Sequence, residues 1–139
     1  MADTTKKILI IEDNEGTRYV LEKFLGHFFE VTAKQDGKEA LIWISKNLPD
    51  LIITDLDMPN LNGIQFIKNI KTSLILRNIK IMVITGHDDE KNRSICTDHG
   101  IVEYYVKPFN PAELVLRIYE IFNLPAKGNK KIEKLIDIN

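Results

Sequence analysis

Four times along the chain a short apolar run stops at residues able to do chemistry. "ILII" ends in Glu12 and Asp13, "LIIT" in Asp55 and Asp57, "IKIMVIT" in Thr85, and "VEYYV" in Lys107. Acids gathered in one cleft repel one another and raise one another's pKa unless a cation joins them. Carboxylates and a backbone carbonyl make an all-oxygen ligand set. That set suits Mg²⁺, which keeps several waters and binds beside a phosphoryl group. Lys107 adds a fixed positive charge and Thr85 a hydroxyl donor. Acids, divalent metal, lysine and hydroxyl together are the parts that stabilise phosphoryl transfer.

Their meeting depends on the elements that carry them. Five apolar runs punctuate the chain, at 8–11, 28–33, 51–54, 79–85 and 102–106. The first, third and fourth are almost continuous in Ile, Leu and Val, the pattern of strands covered on both faces. The second and fifth contain acids and read as strands nearer an edge. Helical patterns lie between them. Val20, Leu21, Phe24, Leu25 and Phe28 recur at helical spacing after an Asn14 cap. Asp36 with Glu39 makes a D-x-x-E capping box before "KEALIWISKN", and Asn62 with Gln65 suits the start of "IQFIKNIK". Leu114, Val115, Ile118, Ile121 and Phe122 form an apolar stripe opened by Pro111. The fourth interval, "DDEKNRSICTDHG", offers only Ile95 and Cys96, so a short, loosely held helix is expected before a stop at Gly100. Strand and helix alternate five times, which implies an α/β fold with a parallel sheet and helices on both faces. Functional groups in such a sheet sit beyond the carboxyl ends of the strands, at a topological switch point. The four polar strand ends fall on that edge.

The totals agree with a globular reading. With 139 residues, 44% hydrophobic and 28% charged, the chain is long enough for one domain with a real core. A net charge of -1 lacks the basic excess of a general nucleic-acid or membrane-surface binder. No apolar run approaches a membrane span, no signal peptide is visible, and the single Cys96 suits a reducing compartment. The expected location is the cytoplasm. The last sixteen residues, 124–139, carry +2 against -3 for residues 1–123. Pro125 and Gly128 read as a linker, and Ile132, Leu135 and Ile136 have helical spacing. The expected division is a domain over 1–123 followed by a basic linker or extra helix over 124–139.

"IIEDNE", "PDLIITDLDMPNLNG", "MVITGH" and "YYVKPF" occur in an order and at separations that resemble the receiver domain of bacterial two-component response regulators, of the chemotaxis-regulator kind. The resemblance covers residues 6 to about 123 and implies a doubly wound, flavodoxin-like sheet in the order 2-1-3-4-5. It implies that Asp55 accepts a phosphoryl group from a histidine kinase or phosphotransfer protein. Asp13, Asp55 and the backbone carbonyl of Asp57 would ligate Mg²⁺, with Glu12 acting through water. Lys107 would pair with a phosphoryl oxygen, while Thr85 and Tyr104 would switch conformation together. It also implies a cis Lys107–Pro108 bond, and autodephosphorylation tuned by Asp57 and His87. The partner surface would be the fourth helix, fifth strand and fifth helix, facing a protein target or the chain's own output domain. On this reading the protein is a signalling switch that acts on itself, with no direct contact to nucleic acid or membrane.

Plainer roles compete for some residues. Taken alone, Glu12 or Asp57 reads as a cap or a solvated loop acid, whereas Asp13, Asp55, Thr85 and Lys107 form a set. Tyr104 and Tyr105 point to opposite faces, so one can be a core filler while the other is exposed. His27 and His99 read as surface residues, Cys96 as core, and Trp43 as packing on the second helix. "DLDMPNLNG" also resembles the first motif of haloacid-dehalogenase-type phosphatases. That family places the motif at its first strand, and here it follows the third. A receiver that binds a partner without phosphorylation would have no need of all four site residues.

Overall fold

A computed structural model of the chain describes residues 5–138. Two compact units divide it, one running to Pro108 and the other from Phe109 onward. In the first unit strands β1 (Lys7–Ile11), β2 (Glu30–Lys34), β3 (Leu51–Thr54), β4 (Lys80–Thr85) and β5 (Glu103–Val106) alternate with helices α1 (Glu15–Leu25), α2 (Gly37–Ile44), α3 (Gly63–Thr72) and α4 (Glu90–Asp98). All strand pairs are parallel, and the order is β2-β1-β3-β4-β5. The doubly wound, flavodoxin-like sheet is therefore present in its expected order.

Burial follows strand position. β1, β3 and β4 are interior strands and almost fully buried, while the edge strands β2 and β5 are only half-buried. Alternation sends Leu9, Ile11, Ile52, Ile81 and Val83 to one face, where they pack with Ala40 and Ile44 of α2, Phe66, Ile67 and Ile70 of α3, and Cys96 of α4. Outside that cluster, α1 packs against β1 and β2 with Leu21 and Leu25 buried.

Side-chain caps set the helix starts. Asn14, Asp36 and Asn62 each accept a bond from the backbone N–H three residues on, at 2.9, 2.8 and 2.9 Å. Asp89 caps α4 by accepting from Lys91 and Asn92. As expected, α4 holds little core, with Cys96 alone buried. The first helix differs from its apolar pattern. It stops at Leu25, so Phe28 lies beyond it, and Val20 is exposed because the stripe is narrower than its five members suggested. β2 likewise starts at Glu30, leaving Phe28 and Phe29 in the preceding turn.

In the second unit, α5 (Pro111–Ile121) is capped by Asn110, carries Pro111 in its first turn and buries Leu114, Val115 and Ile118. Asn123 at φ 52° ends it, and α6 (Lys130–Ile138) follows. Asn129 joins the two helices, donating to the Tyr119 hydroxyl at 3.3 Å and accepting from Ile132 N–H at 3.2 Å. Ile132 and Leu135 are buried. No helix among the described residues is long and apolar enough to cross a membrane.

Candidate phosphoacceptor and metal site

Register brings the acids together. Ile11 pairs with Thr54, so the next residue on each strand, Glu12 and Asp55, emerges at the same level, and Asp55 N–H donates to Ile11 C=O at 3.1 Å. On the other side Thr85 pairs with Val106, and Lys107 N–H donates to Thr85 C=O at 2.7 Å. β1 and β3 flank the point where the strand order reverses, the switch point at which ligands bind in this fold.

Every polar atom of Asp55 is engaged. Oδ1 accepts from the N–H groups of Leu56 (2.6 Å) and Asp57 (3.1 Å), and Oδ2 accepts from Lys107 Nζ at 2.8 Å. The same ammonium donates to Glu12 Oε1. Glu12 and Asp55 are only 2% and 6% exposed, so these charges meet where solvent screens them little. Burial pushes the Glu12 carboxyl up to about 7; Lys107 pulls it back and Asp55 pushes it further. Burial opposes the Lys107 charge too, but the bonds and charges of Asp55 and Glu12 outweigh it and leave the ammonium pKa above its ordinary value.

The donors fit a hard divalent cation. Glu12, Asp13 and Asp55 each place a carboxylate oxygen within 4.8 Å of the others. Glu12 Oε2 is buried with no hydrogen-bond partner, an acceptor that a cation or its water shell would satisfy. Asp13 is exposed, which leaves the cluster open to solvent on one side.

One support was not legible in the motifs. Arg18 of α1 donates from one guanidinium nitrogen to the carbonyls of Glu12 (2.8 Å) and Asp13 (3.3 Å), fixing the turn that carries both acids. An arginine five residues after the acid pair was the only available signal. Gly63 allows α3 to start against the Asp55 loop, since a Cβ there would lie 2.3 Å from the Asp55 carbonyl oxygen. Asn60, at φ 69°, is tied to Asp36 at 3.0 Å and shapes the same loop.

The remaining sequence candidates fall around this centre. Asp57 turns its side chain to solvent and contributes its N–H to Asp55. Thr85 is fully buried, and its hydroxyl is occupied by the backbone of His87, accepting from N–H at 3.2 Å and donating to C=O at 3.4 Å. His87 itself is exposed and leans towards Asp89, 3.8 Å away. Tyr104 packs with the α4 side of the core, its ring 4.3 Å from the Arg93 guanidinium and its buried hydroxyl without a bond. The Lys107–Pro108 bond is cis.

A family model described as the response regulator receiver domain matches residues 8–119. The phosphate regulon regulator PhoB of Escherichia coli is 34% identical over 117 residues, which cover 81% of this chain and 50% of PhoB. The chain spans half or less of the first curated relatives it matches. The chemotaxis protein CheY4 of Vibrio cholerae has the same fold, with a TM-score of 0.78 at 27% identity, covering 85% of this chain and 99% of CheY4. The receiver domain of the sensor histidine kinase PA1611 of Pseudomonas aeruginosa, described with magnesium coordinated in its active site cleft, matches at a TM-score of 0.75 and 28% identity. That match covers 84% of this chain and 97% of the PA1611 domain. The D-x-D motif follows the third strand of a receiver fold, which removes the phosphatase resemblance. With its acids and lysine at the β1/β3 switch point and its family match over most of its length, this chain belongs to the response regulator receiver domains, the phosphoacceptor signalling modules of two-component systems.

Proposed function

We propose that Asp55 accepts a phosphoryl group from the phosphohistidine of a histidine kinase or phosphotransfer protein, in a Mg²⁺-dependent reaction, and that the adduct is later hydrolysed by the domain itself. One observation carries this reading: a buried carboxylate held by an ammonium and two backbone N–H groups, beside two further acids. A carboxylate oxygen of Asp55 forms the new O–P bond as the N–P bond to the donor imidazole breaks. Asp13, Asp55 and the Asp57 carbonyl, with Glu12 acting through water, would hold Mg²⁺, which would supply charge neutralisation on the phosphoryl oxygens. Lys107, already at Asp55, stays protonated and follows the developing charge without reorganising.

The Thr85 hydroxyl is committed to the His87 backbone and has to leave it to reach a phosphoryl oxygen. Its release is the local event that shifts the domain between two states, with Tyr104 following through the weakly held α4 and the Arg93 contact. A target protein or output domain then reads the change on α4, β5 and α5. Asp57 and His87 sit on the loops after β3 and β4 and set how readily water reaches the adduct. An altered phosphoryl lifetime in Asp57→Asn or His87→Ala supports that role, and unchanged lifetimes in both remove it. The structural domain on this reading runs over 1–123, with 124–139 as a basic linker or extra C-terminal helix.

Intact mass after incubation with Mg²⁺ and acetyl phosphate tests the proposal. One phosphoryl group is expected on the native chain and none on Asp55→Asn. If the adduct is absent and Mg²⁺-dependent beryllofluoride binding is also absent, the phosphoacceptor role fails.

A further inference from the structure

Opposite the acid site, at the amino-terminal end of the sheet, lies a groove of about 880 Å³ that phosphoryl transfer does not use. Trp43 of α2, Leu48 of the following loop, and Ile75 and Leu76 of the α3–β4 loop line it, with Lys7 and Lys46 among its walls. Its volume is in the range of recognition pockets. Around it the surface is unusually apolar. Leu48 is 58% exposed, Ile75 79% and the adjacent Leu74 80%. Scattered exposed apolar residues are ordinary, but large ones gathered at one groove mark contact surfaces.

The α3–β4 loop is built to display these side chains. Leu76 N–H donates to Ser73 Oγ at 3.2 Å, Arg77 N–H to Ser73 C=O at 3.0 Å, and Lys71 Nζ to Arg77 C=O at 3.3 Å. The loop satisfies its own backbone and holds Leu74 and Ile75 outward.

Charge identifies the occupant. Lys7 and Lys46 line the groove, and Lys71, Arg77 and Lys80 lie by the α3–β4 loop that forms one of its walls. Lys71 and Lys80 sit close enough that burial and the Lys80 charge lower the Lys71 pKa. Two acids stand nearby. Glu30 lines the groove, and Asp50 accepts from Lys7 N–H at 2.8 Å. Among these residues cations outnumber acids.

We propose that this groove docks an acidic segment of a partner protein, whose large apolar side chains fill it while its carboxylates meet the surrounding lysines and arginine. A flat bilayer would touch only the protruding Leu74 and Ile75 and leave the concavity empty, so a peptide fits better than a lipid surface. The site is independent of the phosphoacceptor reading, because it lies at the other end of the strands and its test involves no phosphorylation.

Selection from a random displayed-peptide library on the full chain tests it, with counter-selection on the Leu48→Ser/Ile75→Ser variant. Both changed residues are exposed, so that variant keeps its fold. Enrichment of acidic peptides with two or more large apolar residues is expected. Trp43 is the only tryptophan of the chain, so a tryptophan-free synthetic copy of such a peptide should shift its emission saturably. Affinity should fall about tenfold from low to high salt and by a similar factor in Lys46→Glu/Lys71→Glu. Peptides that bind the double-serine variant equally, or that are basic, overturn the proposal. So does a Trp43 response to phosphatidylglycerol vesicles with no groove-dependent peptide, which would assign the surface to lipid.

Discussion

Lys107 is the residue on which the centre balances. Its ammonium lies between two buried carboxylates, and without a metal it is the positive charge that both of them touch. Glu12 bears the strain, with its carboxyl raised from the ordinary 4.5 to about 7. The native state therefore holds this proton more tightly than the unfolded chain does. Stability from Glu12 is fully present below about pH 4.5 and is lost as pH rises to about 7. In the presence of a chelator, the urea midpoint should fall across that window, and Glu12→Gln should flatten the slope. An unchanged slope in Glu12→Gln would place the proton elsewhere. At this scale the four motif residues were readable because they occur together at successive strand ends, where any one alone would read as a cap or a loop residue. Arg18 was not, because an arginine on an exposed helix turn looks the same whether it solvates or clamps a backbone.

Between β3 and α3 the Asp55 loop depends on close approach. Gly63→Ala would drive a Cβ to 2.3 Å from the Asp55 carbonyl oxygen and 2.6 Å from the Leu56 Cα, and backbone atoms cannot rotate away. A loss of about 2 kcal/mol or more is expected from such overpacking, measured by denaturant unfolding, together with a lower yield of phosphoryl adduct. Asn62→Ala, which removes only the cap of the same helix, should cost about 1 kcal/mol and leave the adduct intact. In the second unit Ile132→Ala removes a fully buried side chain from the nine-residue α6. Loss of hydrogen-exchange protection over 130–138 is expected, because so short a helix depends on tertiary packing. Caps and turn residues made most helix starts legible. The ends were less so, since the stripe from Val20 to Phe28 continued past the point where the chain turned into β2.

Across the whole molecule a ligand that binds only the folded state raises stability by mass action. At 100 times its dissociation constant Mg²⁺ should add ~2.7 kcal/mol, seen as a rise in melting temperature. Asp13→Asn should abolish most of the rise while leaving the metal-free melting temperature nearly unchanged, because Asp13 is exposed. An equal rise in that variant would mean the cation binds elsewhere.

What the amino-acid order determines by itself is periodicity. Continuous Ile, Leu and Val runs specify interior strands, mixed runs specify edges, and five alternations with helical patterns leave little besides a parallel α/β sheet. From that sheet the meeting of Glu12, Asp13, Asp55, Thr85 and Lys107 at one edge follows. Register and proximity belong to the tertiary structure alone. Only the pairing of Ile11 with Thr54 sets Glu12 level with Asp55, and only burial there raises the Glu12 carboxyl, against the pull of the Lys107 ammonium. The commitment of the Thr85 hydroxyl to the His87 backbone, and the groove around Trp43, arise from segments distant in sequence or from backbone geometry, to which a pattern of residue types is blind.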